Sequence, residues 1–550
     1  MKATKFFHFS CLVILMVLCS LQTSAAGKEL PDTLCTHDLI LNAKNQVVPW
    51  YKPDVEGAAY AHVVKLASEF LRDILPEDEK TGLKQYYLYS AFNGPENGEK
   101  TYHGRGSANN PACVFAGLTE SLMKYSQYTG DRSYLDMVRG CLDFMLENGT
   151  TPLENWKWGG CPYASGNPGV PKFEGTSHYG EGGGDGHLFL EPDKVGEMGV
   201  AYLQFYQLTE EKVYLDAALN CANALANNVR QGNYNQSPWP FRTHARTGTI
   251  SEEYCSNVLP AIKLFDELAR VESRIQLGSE IQGKYQEVRD NVWKWLYHWD
   301  GPMRSYVWKG YFEDVQYDHE NRNRVQVTPM EMARYLIQYP ENDPYYVENV
   351  TSLIHFCNAS FGTQNAWGYN AQCEQYFCMT PMGSHTARYA SVCAMWYAHS
   401  KIDWYKNEAF ENFNWATYCT AKSGFVSVGP EWPSAWFSDG YGDYIKHFMD
   451  GLAAVPEWVP AGENHLLSST SIVQEINYSD HQIGYRTFMP TSTEVLKLTD
   501  MPKKVMVDGK VLKRDDQLKN EEGWSWEKLG NGGVLRVKHQ EERNVMIELR

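Results

Sequence analysis

The chain has 550 residues, 43% of them hydrophobic and 13% aromatic, with a formal charge of −17. That is enough apolar material for a large core and too long for one small domain. An acidic chain offers no attraction to nucleic acid or anionic lipid, so neither is expected as a partner.

Residues 1–26 read as a signal peptide: Lys2 and Lys5, an apolar run from Cys11 to Cys19, and small residues at Ser24-Ala25-Ala26. The expectation is an exported protein, periplasmic or secreted, with no membrane segment once the signal is removed. Residues 27–57 form an N-terminal segment. The remaining cysteines, spread from Cys35 to Cys419, do not make a small disulfide scaffold and read mostly as buried thiols.

A repeat then marks the fold. Thr129-Gly-Asp-Arg-Ser-Tyr-Leu-Asp136 returns as Thr209-Glu-Glu-Lys-Val-Tyr-Leu-Asp216, each between two amphipathic helices. Gly130 suits a helix C-cap and Asp131 an N-cap, giving a tight turn. Apolar periodicity predicts twelve helices, near 58–75, 112–129, 131–147, 194–208, 210–229, 252–271, 282–299, 327–338, 344–361, 383–399, 401–422 and 441–454. Short and long connections alternate, and antiparallel neighbours put alternate connections at opposite ends. All the long ones therefore gather at one end. The expected fold is mainly α: an (α/α)6 barrel over 58–460, with an open helical solenoid as the alternative. From about 465 to 550, period-two alternation and the Asp508-Gly509 turn predict a small all-β domain.

The long connections are rich in residues that bind and cut sugars. Aromatic faces stack on pyranose rings. Arg matches a carboxylate with two parallel hydrogen bonds. Glycoside hydrolysis needs two carboxyl groups, one protonated and one ionised. Glu313, in Trp308-Lys-Gly-Tyr-Phe-Glu-Asp314, is the first candidate catalyst, since its aromatic setting would raise its pKa. Asp185 and Glu181 flank the Gly182–Gly184 run, and Asp443, His187 and Tyr311 are further catalytic candidates. Arg242, His244 and Arg246 alternate, which in an extended segment places all three on one face as an anion site. Trp308, Trp432, Tyr441, His103 and His385 complete the predicted binding set. No His-Glu-x-x-His or Cys-x-x-Cys pattern and no dense Asp loop occurs, so no metal or other cofactor is expected.

The helical hairpins, the aromatic connections and the β-rich tail resemble six-hairpin, (α/α)6-barrel carbohydrate-active enzymes. Trp239-Pro-Phe-Arg242, Tyr254-Cys-Ser-Asn-Val258 and Trp308-Lys-Gly-Tyr-Phe-Glu-Asp314 look like the gut-bacterial (α/α)-barrel β-glucuronidases. The resemblance implies an exo-acting hydrolase that releases a uronic acid from an oligo- or polysaccharide. Two other readings fit the same residues: a lyase using Tyr or His with Arg on uronate glycans, and a glycan-binding protein without turnover.

Overall fold

The computed structural model describes residues 33–34, 36–79, 82–85, 89, 91–105, 110–167, 170–175, 186–310, 323–366, 369–376, 378–429, 439–519, 521–541 and 543–549. Among these, twelve long helices follow one another: α1 Ala58–Glu69, α2 Pro111–Thr129, α3 Ser133–Asn148, α4 Pro192–Thr209, α5 Lys212–Asn228, α6 Leu259–Arg270, α7 Ser279–Leu296, α8 Val327–Gln338, α9 Tyr346–Phe361, α10 Gly383–Ser400, α11 Asp403–Thr417 and α12 Asp439–Ala454. α1 ends in a π-helical turn over Phe70–Ile74. Proline stands in the first turn of α2, α4 and α6, where its missing N–H costs nothing.

The even-numbered helices are one set. α2 packs on α4, α4 on α6, α6 on α8, α8 on α10, α10 on α12, and α12 on α2. The odd-numbered helices pack against this set from the other side, α11 on α10 and α9 on α8, for example. α10 shows its position by composition: Ala387, Tyr389, Ala390, Val392, Cys393 and Ala394 are all buried, so it is enclosed all round. Where α12 meets α2 the backbones almost touch. A Cβ on Gly442 would lie 2.8 Å from the carbonyl carbon of Gly117, and Ser121 Oγ donates to the Gly442 carbonyl.

The two repeats form the predicted turns by different means. Gly130 closes α2 with φ 78°, and Asp131 Oδ1 accepts from the Ser133 N–H at 2.9 Å. At the matching position Glu210 closes α4 with φ 59°, a left-handed conformation unusual for a residue with a Cβ. Its carboxylate accepts from Arg274 at 3.0 Å, Gln474 at 3.2 Å and Arg543 at 3.3 Å, which holds the strained turn.

Short strands lie in the connections: β1 Thr33–Leu34 with β2 His37–Asp38, β3 Ala91–Asn93 with β4 His103–Arg105, β5 Phe189–Leu190 with β6 Arg242–His244 and β7 Ile250–Glu252, and β8 Gly362–Ala366, β9 Tyr369–Gln375 and β10 Cys378–Pro381. β7 corrects one sequence expectation. The helix predicted from 252 starts at Leu259, because Glu252 pairs with Arg242 in a sheet and Ser256 is tied to the Lys309 carbonyl.

The C-terminal region is two antiparallel sheets. β11 His465–Ser469, β14 Ser492–Leu498, β18 Gly533–His539 and β17 Gly523–Lys528 form one in that order. β12 Val473–Tyr478, β13 Gln482–Thr487, β19 Asn544–Glu548, β15 Lys504–Val507 and β16 Lys510–Val511 form the other. Leu466, Leu496 and Val537 of the first sheet share one core with Val473, Ile483 and Val545 of the second. The Asp508-Gly509 turn has φ of 45° and 84°, as a tight hairpin requires. This sandwich holds the helical part through Tyr478, whose hydroxyl donates to the Gln127 carbonyl at 2.7 Å, and through His465, stacked on Tyr128 at 3.7 Å.

Candidate functional site

A cavity of about 230 Å³ opens between the N-terminal halves of the even-numbered helices. Each helix brings charged or polar side chains to it at helical spacing: Glu120 from α2, Asp193, Lys194 and Glu197 from α4, Lys263 from α6, Glu331 from α8, His385 and Arg388 from α10, and Asp443 and Lys446 from α12. Strand β9 adds Glu374 and the segment before α6 adds Asn257. Buried charges survive only when paired, and here the pairing sorts the acids into two environments.

The first environment is cationic. Arg388 holds Asp443 through Nη2 and lies 3.3 Å from Glu331 through Nε. Lys446 Nζ is 3.5 Å from Asp443, 3.9 Å from Glu331 and 3.7 Å from Glu120. Burial pushes the Asp443 carboxyl upward, but Arg388 and Lys446 outweigh it and hold the group below the usual aspartate range. Glu331 behaves likewise: burial opposes its charge, and Lys446, Arg334, Lys263 and Arg388 together drive its pKa far down. Asp443 and Glu331 are therefore ionised.

The second environment is acidic. Asp193 and Glu197 stand one turn apart on α4, and Asn257 Nδ2 donates to both, at 3.0 and 3.4 Å. Lys194 Nζ lies 3.2 Å from Glu197 and 3.7 Å from Asp193. One ammonium serves two carboxyls. Burial raises the Glu197 pKa, the charges of Asp193 and Asp443 raise it further, and Lys194 only partly opposes them. The Glu197 carboxyl is thereby shifted toward the protonated form, opposite to Asp443 and Glu331.

His385 stands beside the cationic group. Arg388 Nη1 donates to its Nδ1 at 2.8 Å, and an arginine can only donate, so the ring proton sits on Nε2. Burial, with the Arg388 charge added, lowers the His385 pKa to about 3, so the ring is neutral. Its Nε2–H lies 3.9 Å from Glu374 Oε1, beyond hydrogen-bond reach.

Of the residues singled out from the sequence, Asp443 and His385 line this cavity. Glu313, Tyr311, Asp185, Glu181 and Trp432 lie outside the described residues. The rest are elsewhere. Trp308 is 1% exposed and Tyr441 is 0% exposed; Tyr441 stacks on Phe70 and accepts from the Val426 N–H, so both rings are core packing and present no face to a sugar. Arg242 is also buried: its Nε donates to Glu191 at 3.0 Å and its Nη1 is 3.6 Å from Glu252. A substrate carboxylate would have to displace those two.

Nor do Arg242, His244 and Arg246 share a face. The chain leaves the extended conformation at Ala245, turns through Gly248 at φ 74°, and re-enters as β7, which leaves Arg246 exposed. His244 packs edge-on to Phe189, His103 Nδ1 contacts the Thr101 carbonyl at 3.2 Å, and the exposed His187 is 4.0 Å from Glu174. Sequence reasoning missed Glu197, Asp193, Glu331, Arg388 and Lys446. The signal for them is the charged pairs three or four residues apart on otherwise apolar helices, such as Asp193/Glu197 and Asp443/Lys446.

In sequence, the chain matches no family profile and no curated protein. In structure it is similar to the cellobiose 2-epimerase of Spirochaeta thermophila, with 11% identity and a TM-score of 0.51 over 72% of this chain and 97% of that one. It is likewise similar to a D-mannose isomerase, with 10% identity and a TM-score of 0.50 over 72% of this chain and 97% of the other. A GH76 α-mannanase of Bacteroides thetaiotaomicron aligns more loosely, at 10% identity and a TM-score of 0.46 over 71% and 95%. At such identities the likeness bears on the fold: a mainly helical chain whose structural neighbours are (α/α)6-barrel enzymes.

Proposed function

We propose that this chain is an exported glycoside hydrolase built on a closed (α/α)6 barrel, with its active site in the cavity between the inner helices. The observation that carries the reading is the division of the acids that line one cavity. Glu197 shares a single lysine and a single asparagine with Asp193, while Asp443 is clamped by Arg388 and Lys446. Two carboxyls whose surroundings drive their pKa values apart are suited to be acid and base. Glu197 donates its proton to the glycosidic oxygen as the bond breaks. Asp443, ionised, acts on the anomeric carbon directly or through water. His385 offers its Nε2–H to a sugar hydroxyl. A neutral ring with its proton already on Nε2 is a poor base there, which favours hydrolysis over a proton-abstracting route.

The substrate we propose is a glycan ending in a uronic acid. Lys194, Lys263, Arg388 and Lys446 line the cavity beside Glu120, Glu191, Asp193, Glu197, Glu331, Glu374 and Asp443, so the uronate reading rests on the sequence resemblance, and a sugar carboxylate would have to compete with these acids for a cation. Glu313 is the rival proton donor, since Gly310, three residues before it, lies in the cavity wall.

The purified protein should be incubated with aryl β-glucuronides, matching aryl β-glucosides and uronate polysaccharides, with products followed by NMR and ultraviolet absorbance. Release of glucuronic acid with a faster rate on glucuronides supports the reading. An unsaturated, ultraviolet-absorbing product would replace it with lyase chemistry. Inversion of a free sugar without bond cleavage would replace it with epimerisation. Binding without any product would leave a glycan-binding protein.

A further inference from the structure

We infer that the cavity wall continues outward as a stacking ledge, on which pyranose rings of a longer glycan lie beyond the ring held in the cavity. The inference rests on the carbohydrate reading above and adds a second binding region to it.

The ledge starts at Cys255 and Gly310, which line the cavity. The residues just before them in the chain are Tyr254 and Lys309, both buried. The segments are stapled together: the Ser256 N–H and its hydroxyl both donate to the Lys309 carbonyl, at 2.8 and 2.6 Å. The Lys309 ammonium then lies 4.9 Å from the Tyr254 ring and 4.5 Å from the Tyr234 ring, so it bridges a buried tyrosine to an exposed one. Tyr234 is 46% exposed.

Its loop is held in shape. Asn233 Oδ1 accepts from the N–H groups of Asn235 and Gln236 at 2.8 and 3.1 Å, and the Asn233 carbonyl accepts from Trp295 Nε1 at 3.2 Å. Trp295 also sits 5.9 Å from the Tyr254 ring. The turn after α7 folds back on the end of that helix, where a Cβ on Gly301 would lie 2.2 Å from the Trp295 carbonyl oxygen. That turn carries Trp299, which is 78% exposed.

A line of contacts therefore runs from the cavity through Tyr254 and Lys309 to Tyr234, and the chain that leaves Trp295 carries Trp299 four residues on. The inner members are buried, and Lys309 and Trp295 hold the loop that carries Tyr234. The outer two spend large aromatic surfaces on water. A tryptophan left that open gains nothing for folding, whereas a rigid aromatic face with a polar edge is what a pyranose ring stacks on. Continuity with the cavity decides the occupant: further sugars of the same chain.

The test uses the whole protein, as wild type and as Tyr234→Ala, Trp299→Ala and the double variant, on an array of mono-, di- and longer neutral and uronate glycans. Thermal melting should be unchanged, since both side chains are exposed. The expected result is that glycans longer than a disaccharide bind wild type best, and that the double variant weakens them by about tenfold or more. Binding of monosaccharides and turnover of a short aryl glucuronide should not change. Equal binding by wild type and double variant, or no preference of wild type for longer glycans, overturns the ledge. Length-dependent binding lost in the variants without hydrolysis of any substrate would keep the ledge and sink the hydrolase reading. Turnover of the aryl glucuronide with no length preference would do the reverse.

Discussion

Arg388 donates to Nδ1 of His385 at 2.8 Å, and that bond fixes which nitrogen His385 turns to a ligand. The same guanidinium also grips Asp443 and lies 3.3 Å from Glu331. One planar fork thus sets a tautomer, is the main charge that holds Asp443 ionised, and adds to the cations around Glu331, which a lysine cannot do from one position.

Arg388→Lys should therefore fold and yet lose about 10²-fold in kcat, since the charge remains but the geometry is lost. Asp443 would lose its largest source of charge stabilisation, and its pKa would rise. Activity depends on ionised Asp443, so the acid limb of the pH–rate profile should move to higher pH. Measuring that profile for wild type and Arg388→Lys checks it; a uniform loss at all pH values would assign Arg388 to folding alone.

Acid should destabilise the protein through two histidines. Burial, with Arg388, lowers His385 to about 3, and burial, with Arg334 and Lys446, drives His447 well below its ordinary value. In the unfolded chain each titrates near 6.5. Between about 6.5 and the folded value, the unfolded state takes up a proton that the native state refuses. Stability from each group is thus full above about 6.5 and is lost as pH falls, by about 1.4 kcal/mol per pH unit inside that window. Urea denaturation of wild type and His447→Gln between pH 7 and pH 4.5 should show a shallower pH dependence in the variant. Identical slopes would exclude His447.

The meeting of α12 with α2 should be intolerant of any side chain. A Cβ at Gly442 would come 2.8 Å from Gly117 C and 3.0 Å from Leu118 N, both backbone atoms that cannot rotate away. Gly442→Ala is expected to cost about 1–3 kcal/mol of stability. Gly440→Ala, where a Cβ meets nothing within 4 Å, is the control and should change little. Equal melting temperatures for the two variants would show that this close approach does not matter.

Most of the helical order was legible in the sequence, because apolar periodicity and tight turns are local signals. α8 was predicted at its observed bounds, and Gly130 caps α2 as expected. The start of α6 was not, because the pairing of Arg242 with Glu252 overrides local periodicity. The candidate site was legible only at Asp443 and His385. Aromatic residues build cores as readily as sugar platforms, so sequence could not tell the buried Trp308 from the exposed Trp299. Glu197 carries no mark of a site in the sequence, because an acid inside a helix ordinarily faces water. Only the ring of neighbouring helices turns that face inward.

The most direct test compares kcat/KM of wild type, Glu197→Gln and Glu313→Gln on a phenyl and a 2,4-dinitrophenyl β-glucuronide, across pH. A proton donor matters for a poor leaving group and little for a good one. Glu197→Gln is expected to lose about 10²–10⁴-fold on the phenyl substrate, to recover most of it on the dinitrophenyl one, and to lose the basic limb of the pH profile. A wild-type rate for Glu197→Gln on the phenyl substrate, or this same pattern in Glu313→Gln instead, would contradict Glu197 as the proton donor.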